Sequence, residues 1–167
     1  MKKLLLSFLL LVVSAPAWAA ITHETTAVPI NTDTSSAGAN TGSMDVGSGH
    51  TSPYLICAIN HNDTSDSIST APTYDGNTMS SLVTPFRTTG GGTNKQFSYV
   101  YGLSLGSITG SNTLSVSMTT GGHDLLAQCS VYSGAASSGA TTTLAIDDDS
   151  SGVISDSITT TEANSLI

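Results

Sequence analysis

Large apolar residues alternate with small polar ones in several short stretches of this chain. Residues 97–103 show the pattern most clearly, with large side chains at every second position: Phe97, Tyr99, Tyr101 and Leu103. A period of two places such side chains on one face of a β-strand. Similar stretches cover residues 54–60, 112–120 and 125–132, and we find no stretch with the period of an amphipathic helix. The pattern therefore predicts an all-β protein.

Turn-forming residues separate these stretches. Asp75-Gly76, within the segment PTYDGNTMSSLV, is a strong hairpin signal because a two-residue type I′ turn requires positive φ at both central positions. Further short strands are predicted at residues 142–146 and 158–161. About seven to nine such strands, joined by polar turns, predict an antiparallel β-sandwich of Ig-like or jelly-roll type. Ser and Thr, about a third of the residues after the first 20, suit this architecture.

The N-terminus has the features of an export signal. Lys2 and Lys3 precede an apolar run, and the small-x-small pattern Ala17-Trp18-Ala19 follows it. We therefore expect a signal peptide at 1–19, a flexible N-terminal segment at 20–41 and a β-sandwich domain at 42–167. The exported protein is expected to be secreted or periplasmic. No later stretch approaches the roughly 20 apolar residues that a membrane span needs.

The charge balance narrows the choice of partners. The formal net charge is -8, and removing Lys2 and Lys3 with the signal peptide changes it to -10. Arg87 and Lys95 are then the remaining Lys and Arg residues. A protein with two such cations neutralises few phosphates, so we expect neither nucleic acid nor an anionic membrane surface as a partner. The acidity is compatible with solubility and with binding a cation.

The two cysteines, Cys57 and Cys129, are candidates for one disulfide. Their even number and the oxidising compartment favour a bond, and each lies on the apolar face of its predicted strand. The alternative is two buried free thiols that pack as small hydrophobic groups.

The order of motifs resembles a β-sandwich module that recurs in secreted bacterial and phage-associated proteins. The resemblance covers residues 41–167 and rests on PTYDGNTMSSLV, NTLSVSM, AQCSVYSGA and the final SITTTEANSLI. It implies an accessory, adhesive or surface-display domain without a single assigned activity. Such modules typically continue for at least one more strand. The resemblance therefore implies either a fragment or an open edge strand that associates with another subunit, for which residues 21–34 are the candidate donor.

The loop DDDSSGVIS, residues 147–155, is the best candidate for a metal site. Read as a calcium loop, it offers oxygen ligands at alternate positions and a glycine at the sixth position; the expected ligands are Asp147, Asp149, Ser151 and the carbonyl of Val153. Ile158 replaces the final bidentate glutamate. We therefore expect either no cofactor or Ca²⁺, with an acidic, solvated hairpin loop as the alternative.

Candidate catalytic residues are not apparent in the sequence. The four histidines have no metal-ligand spacing, so we expect surface or turn histidines, and we expect no enzyme. Phe97, Tyr99 and Tyr101 are expected in the core. Three other tyrosines, on different predicted strands or turns, are the expected ligand-binding residues: Tyr54, Tyr74 and Tyr132.

These features suggest three functions. The first is a secreted, non-catalytic module for surface adhesion or glycan binding, whose partners are glycans or a protein of a cell surface or phage. The second is a structural subunit of a virion or extracellular fibre, and the third is a secreted hydrolase.

Overall fold

A computed structural model describes residues 21–63, 65, 67–83, 85–87 and 95–134, all of them in strands, turns or loops. The strands are β1 (Thr22–Thr32), β2 (Gly38–Asp45), β3 (Tyr54–Asp63), β4 (Thr73–Tyr74), β5 (Asn77–Thr78), β6 (Ser80–Ser81), β7 (Phe86–Arg87), β8 (Lys95–Ser104), β9 (Ser111–Met118) and β10 (Leu125–Ser133). The predicted signal peptide and the strands predicted at 142–146 and 158–161 lie outside the described residues.

The strands form two antiparallel sheets. Sheet A has the order β1-β10-β3-β8-β6, with β7 also paired to β8, and sheet B has the order β2-β9-β4-β5. Along the chain the pairs nest: β1 pairs with β10, β2 with β9, β3 with β8, and β4 with β5. Successive pairs alternate between the two sheets, as in a long hairpin rolled into a jelly roll. The predicted all-β sandwich is confirmed, and its strand order is that of the jelly-roll alternative.

The core lies between the two sheets and follows the predicted alternation. In β8 the inward positions are Phe97, Tyr99 and Tyr101, which are all buried, so the prediction that they belong to the core is confirmed. Leu114, Val116 and Met118 of β9 cover them from sheet B, and the inward residues of β3 and β10 complete the layer: Leu55, Cys57, Ile59, Leu125, Ala127, Cys129 and Val131. The large buried apolar surface is the main favourable term for folding.

Cys57 and Cys129 form a disulfide bond, as predicted. The two residues are direct partners in the register between β3 and β10. The bond therefore joins adjacent strands of sheet A and lies on the side of the sheet that faces the core.

The predicted hairpin at Asp75-Gly76 is also present. Both residues have positive φ, 50° for Asp75 and 73° for Gly76, as a type I′ turn requires. The turn joins β4 to β5, with Tyr74 opposite Asn77.

The expectation of a flexible segment at 20–41 is wrong, because β1 and the first part of β2 lie there. β1 is hydrogen-bonded to β10 of the same chain, and Ile30 reaches the core. Two register shifts interrupt its alternation, one beside Glu24 and one between Ala27 and Ile30. These bulges hide the period of two in the sequence. The same pairing occupies most of residues 21–34, which were expected to be a strand donor.

The backbones of β1 and β2 approach closely where β1 bends. A Cβ atom built on Gly42 of β2 would overlap the carbonyl oxygen of Pro29 in β1 and would lie 3.1 Å from Cγ1 of Ile30. Glycine is therefore required at this contact between the edges of the two sheets.

Candidate functional site

The structure brings together two of the three tyrosines predicted to bind a ligand. Tyr54 in β3 and Tyr132 in β10 are direct partners across the sheet. Their neighbours Leu55 and Val131 point into the core, so both tyrosines lie on the outer, solvent side of sheet A. Each ring is half-buried.

The ring of Tyr54 lies over the neighbouring strand β8. A Cβ atom built on Gly102 would be 2.6 Å from the hydroxyl oxygen of Tyr54 and 2.7 Å from its Cε1 atom. Cδ1 of Leu82 would be 2.9 Å from the same point and borders the ring. Because Gly102 has no side chain, the Tyr54 ring can cross β8 close to its backbone.

The ring of Tyr132 leans in the opposite direction, towards β1. Its centroid is 5.4 Å from that of His23, with the ring planes at 65°, an edge-to-face contact. His23, Tyr132 and Tyr54 thus form a row on the outside of sheet A, which we call the aromatic row. With strands 4.7–4.9 Å apart, the row from β1 to β8 is roughly 14 Å long.

Hydroxyl groups lie beside the aromatic row. Nε2 of His23 is 2.8 Å from Oγ1 of Thr26, which is 2.7 Å from Oγ of Ser130. Thr26 and Ser130 are partners in the register between β1 and β10. The row therefore has an edge that can donate and accept hydrogen bonds.

Tyr74, the third predicted ligand-binding tyrosine, is a core residue, so that prediction is wrong. Its side chain is fully buried and its hydroxyl donates a hydrogen bond of 2.8 Å to the carbonyl of Met44. Burial raises the pKa of Tyr74 above the ordinary tyrosine value, and hydrogen bonding to Asn112 offsets part of that effect. The residue ties β4 to the end of β2 within sheet B and is not available to a ligand.

We expect Tyr74→Phe to lower the free energy of unfolding by about 1 kcal/mol at neutral pH, since the Met44 carbonyl loses its donor. The raised pKa has a second effect. The folded state binds the phenolic proton of Tyr74 more tightly than the unfolded chain does. The stability that comes from this tighter binding is fully present below pH 10, the ordinary tyrosine pKa, and is lost as pH rises through the raised pKa. Urea unfolding from neutral pH to about pH 11 should therefore show a smaller alkaline loss in the variant than in the wild type. Equal alkaline losses would contradict this account of Tyr74.

A second group of polar residues lies at the opposite end of β3. Oδ2 of Asp63 accepts a hydrogen bond of 2.7 Å from Thr120, and Oδ1 of Asp63 is 3.3 Å from Nε2 of His123. Nδ1 of His61 is 3.4 Å from Oγ of Ser67. The two contacts of Asp63 hold the turn between β9 and β10 against the end of β3. Asp63, His61 and Ser67 are each at most 2% exposed, which identifies the group as part of the interior.

The position of His61 contradicts the expectation of surface or turn histidines. The His61 ring is stacked on Phe97, with centroids 4.9 Å apart and planes at 7°. A signal was available in the sequence, because the inward alternation of Leu55, Cys57 and Ile59 continues to His61 and Asp63. Polar residue types concealed the last two inward positions.

The described part of the chain contains no group of three or more His, Cys, Asp or Glu residues that could hold a metal ion. The predicted calcium ligands Asp147, Asp149, Ser151 and Val153 lie outside the described residues, so the calcium site stays a prediction. Likewise, none of the described residues belongs to a helix that is long and apolar enough to span a membrane.

Comparison with protein-family models, curated proteins and solved structures found no match. The resemblance to secreted bacterial and phage-associated modules therefore rests on the sequence motifs, and the structure supports its β-sandwich fold. Because one fold hosts many functions, the functional argument depends on the residues of the candidate site.

Proposed function

We propose that this protein is a secreted, non-catalytic jelly-roll module that binds extracellular glycans through the aromatic row and so serves in surface adhesion. The observation that carries the proposal is the pair Tyr54 and Tyr132, which share one register position on the solvent side of sheet A. Partly exposed rings side by side on a rigid sheet are suited to contact with another molecule.

The chemistry of the row suits a sugar. A pyranose ring has an apolar face of C–H groups and a rim of hydroxyls, and tyrosine likewise combines an apolar ring with a polar tip. His23, Thr26 and Ser130 supply donors and acceptors beside the rings. Stacking and hydrogen bonding are thus available within one patch.

Two further features support an extracellular location. The N-terminal sequence has the pattern of a signal peptide. The disulfide between Cys57 and Cys129 is of a kind that persists in oxidising compartments.

A structural subunit of a virion or fibre is the second proposal. Jelly rolls occur in viral capsid proteins as well as in lectins. β1 is an edge strand of sheet A and carries the exposed Val28. An edge strand with an exposed apolar residue favours association between copies.

Binding to a glycan array tests the first proposal. We expect Tyr54→Ala and Tyr132→Ala each to weaken binding roughly tenfold, about 1.4 kcal/mol, because each removes one ring of the row. Leu126→Ala is the matched control, since Leu126 lies on the outer side of β10 but outside the aromatic row. All three variants should melt cooperatively, which shows that they fold.

Two results would contradict the glycan proposal. One is wild-type binding that neither tyrosine variant weakens. The other is the absence of glycan binding together with defined oligomers or filaments in light scattering, which would favour the structural-subunit proposal.

A further inference from the structure

On the outer side of sheet A, the strands β3, β8 and β10 present no described charged side chain around the aromatic row. The outward positions of β3, β8 and β10 are occupied by neutral residues: Tyr54, Ile56, Ala58, Asn60, Asn62, Gln96, Ser98, Val100, Gly102, Ser104, Leu126, Gln128, Ser130 and Tyr132. In β1, Glu24 lies at the bulge, where it accepts a hydrogen bond from Ser133 and pairs with His50 at 3.4 Å. Lys95 is opposite the buried Asp63, at the far end of β3.

This neutrality contrasts with the acidity of the whole chain, whose formal net charge is -8. Recognition of uronic acids, sialic acids or sulfated sugars relies on Arg or Lys side chains and on an attractive field. Here the overall field opposes an anionic polymer, and the patch has no described Lys or Arg side chain to overcome it. An uncharged ligand is not repelled by the net negative charge and does not need a cationic side chain in order to bind.

The direction of the aromatic row also limits the length and orientation of the ligands that can contact it. Its three rings come from the successive strands β1, β10 and β3, and Tyr54 extends the row over β8. The row therefore runs across the strands for roughly 14 Å, longer than a single sugar ring. Tyr54 and Tyr132 lean apart, so they offer two separate contacts along this line.

From the uncharged face and the transverse row, we infer that the ligand is a neutral, linear polysaccharide that crosses sheet A perpendicular to its strands. This inference rests on the proposed glycan-binding function and specifies its substrate class. Successive sugar units of one chain contact Tyr54, Tyr132 and His23. Affinity should therefore grow with chain length until the row is covered.

Affinity electrophoresis compares soluble neutral polymers, namely mixed-linkage β-glucan and glucomannan, with the acidic polymers alginate and polygalacturonate. We expect the neutral polymers to retard the protein and the acidic ones not to. Retardation should be unchanged between about 0.01 M and 1 M salt, since screening affects only charged contacts. In calorimetry with oligosaccharides of the retarding polymer, affinity should rise at least tenfold from the monosaccharide to the trisaccharide.

The variant His23→Ala tests the direction of the ligand. Because His23 is at the end of the aromatic row, its loss should weaken binding of long oligosaccharides several-fold and leave disaccharide binding unchanged. Leu126→Ala should change neither. Equal weakening for both lengths would overturn the transverse arrangement.

The remaining outcomes distinguish failure of the neutral-ligand inference from failure of the proposed glycan-binding function. Retardation by alginate or polygalacturonate that Tyr54→Ala abolishes would overturn the neutral ligand and retain the glycan-binding site. Absence of retardation by every polymer, with no binding on the glycan array, would overturn both.

Discussion

Replacing both Cys57 and Cys129 by alanine should lower the free energy of unfolding by about 4 kcal/mol. The bond links residues separated by 72 positions, so its loss frees a long loop in the unfolded chain and raises the entropy of that state. Both residues are completely buried, and their truncation also removes packing contacts in the core. For a domain of ordinary stability this loss is a large fraction of the total.

Urea unfolding measures this effect. The midpoint should fall, and the m-value should rise because the unfolded chain without the cross-link exposes more surface. The pair Cys57→Ala and Cys129→Val fills more of the space, so it separates packing from the cross-link and should recover only a small part of the loss. A double-alanine variant that loses less than about 1 kcal/mol would show that the bond contributes little to stability.

Gly42→Ala is expected to lower the free energy of unfolding by about 3 kcal/mol or more. The added methyl group overlaps the backbone carbonyl of Pro29, and a backbone atom cannot move aside as the end of a flexible side chain can. β1 and β2 must therefore separate at their contact. The damage should concentrate at β1, with faster amide hydrogen exchange in residues 27–32.

Thr41→Ala is the control for this substitution. Thr41 precedes Gly42 in β2 and is exposed, so its truncation should cost less than about 1 kcal/mol. If the two variants unfold at the same denaturant concentration, the close approach of β1 and β2 does not contribute to stability.

The alternation of apolar and polar residues in the sequence predicted those strands in which no bulge interrupts the alternation. β3, β8, β9 and β10 each contain a run of apolar inward residues at every second position, and each lies close to its predicted bounds. β1 escaped prediction because two bulges and Pro29 interrupt its period. Its position depends on pairing with β10, a contact that no local window contains.

The candidate site shows the same limit. Tyr54 and Tyr132 were selected one at a time, and their alignment follows from the register between β3 and β10, which depends on the whole sheet. Tyr74 was misjudged because its strand has two residues, too few to show which side faces inward. Gly102 contributes to the site because the Tyr54 ring lies directly above it, and that contact depends on the pairing of β3 with β8.

The nesting of the strand pairs sets an order in which the chain can fold. The outermost pair joins β1, the first described strand, to β10, the last described strand. While the chain leaves the ribosome, β1 lacks its partner strand β10 until nearly all of the described residues have emerged. Contacts between such distant residues fold slowly, on the millisecond to second scale. The bond between Cys57 and Cys129 likewise has to wait for β10, which carries Cys129. If the protein is exported as proposed, a chain that is still open at that stage can pass through a narrow channel before its two sheets and its disulfide form.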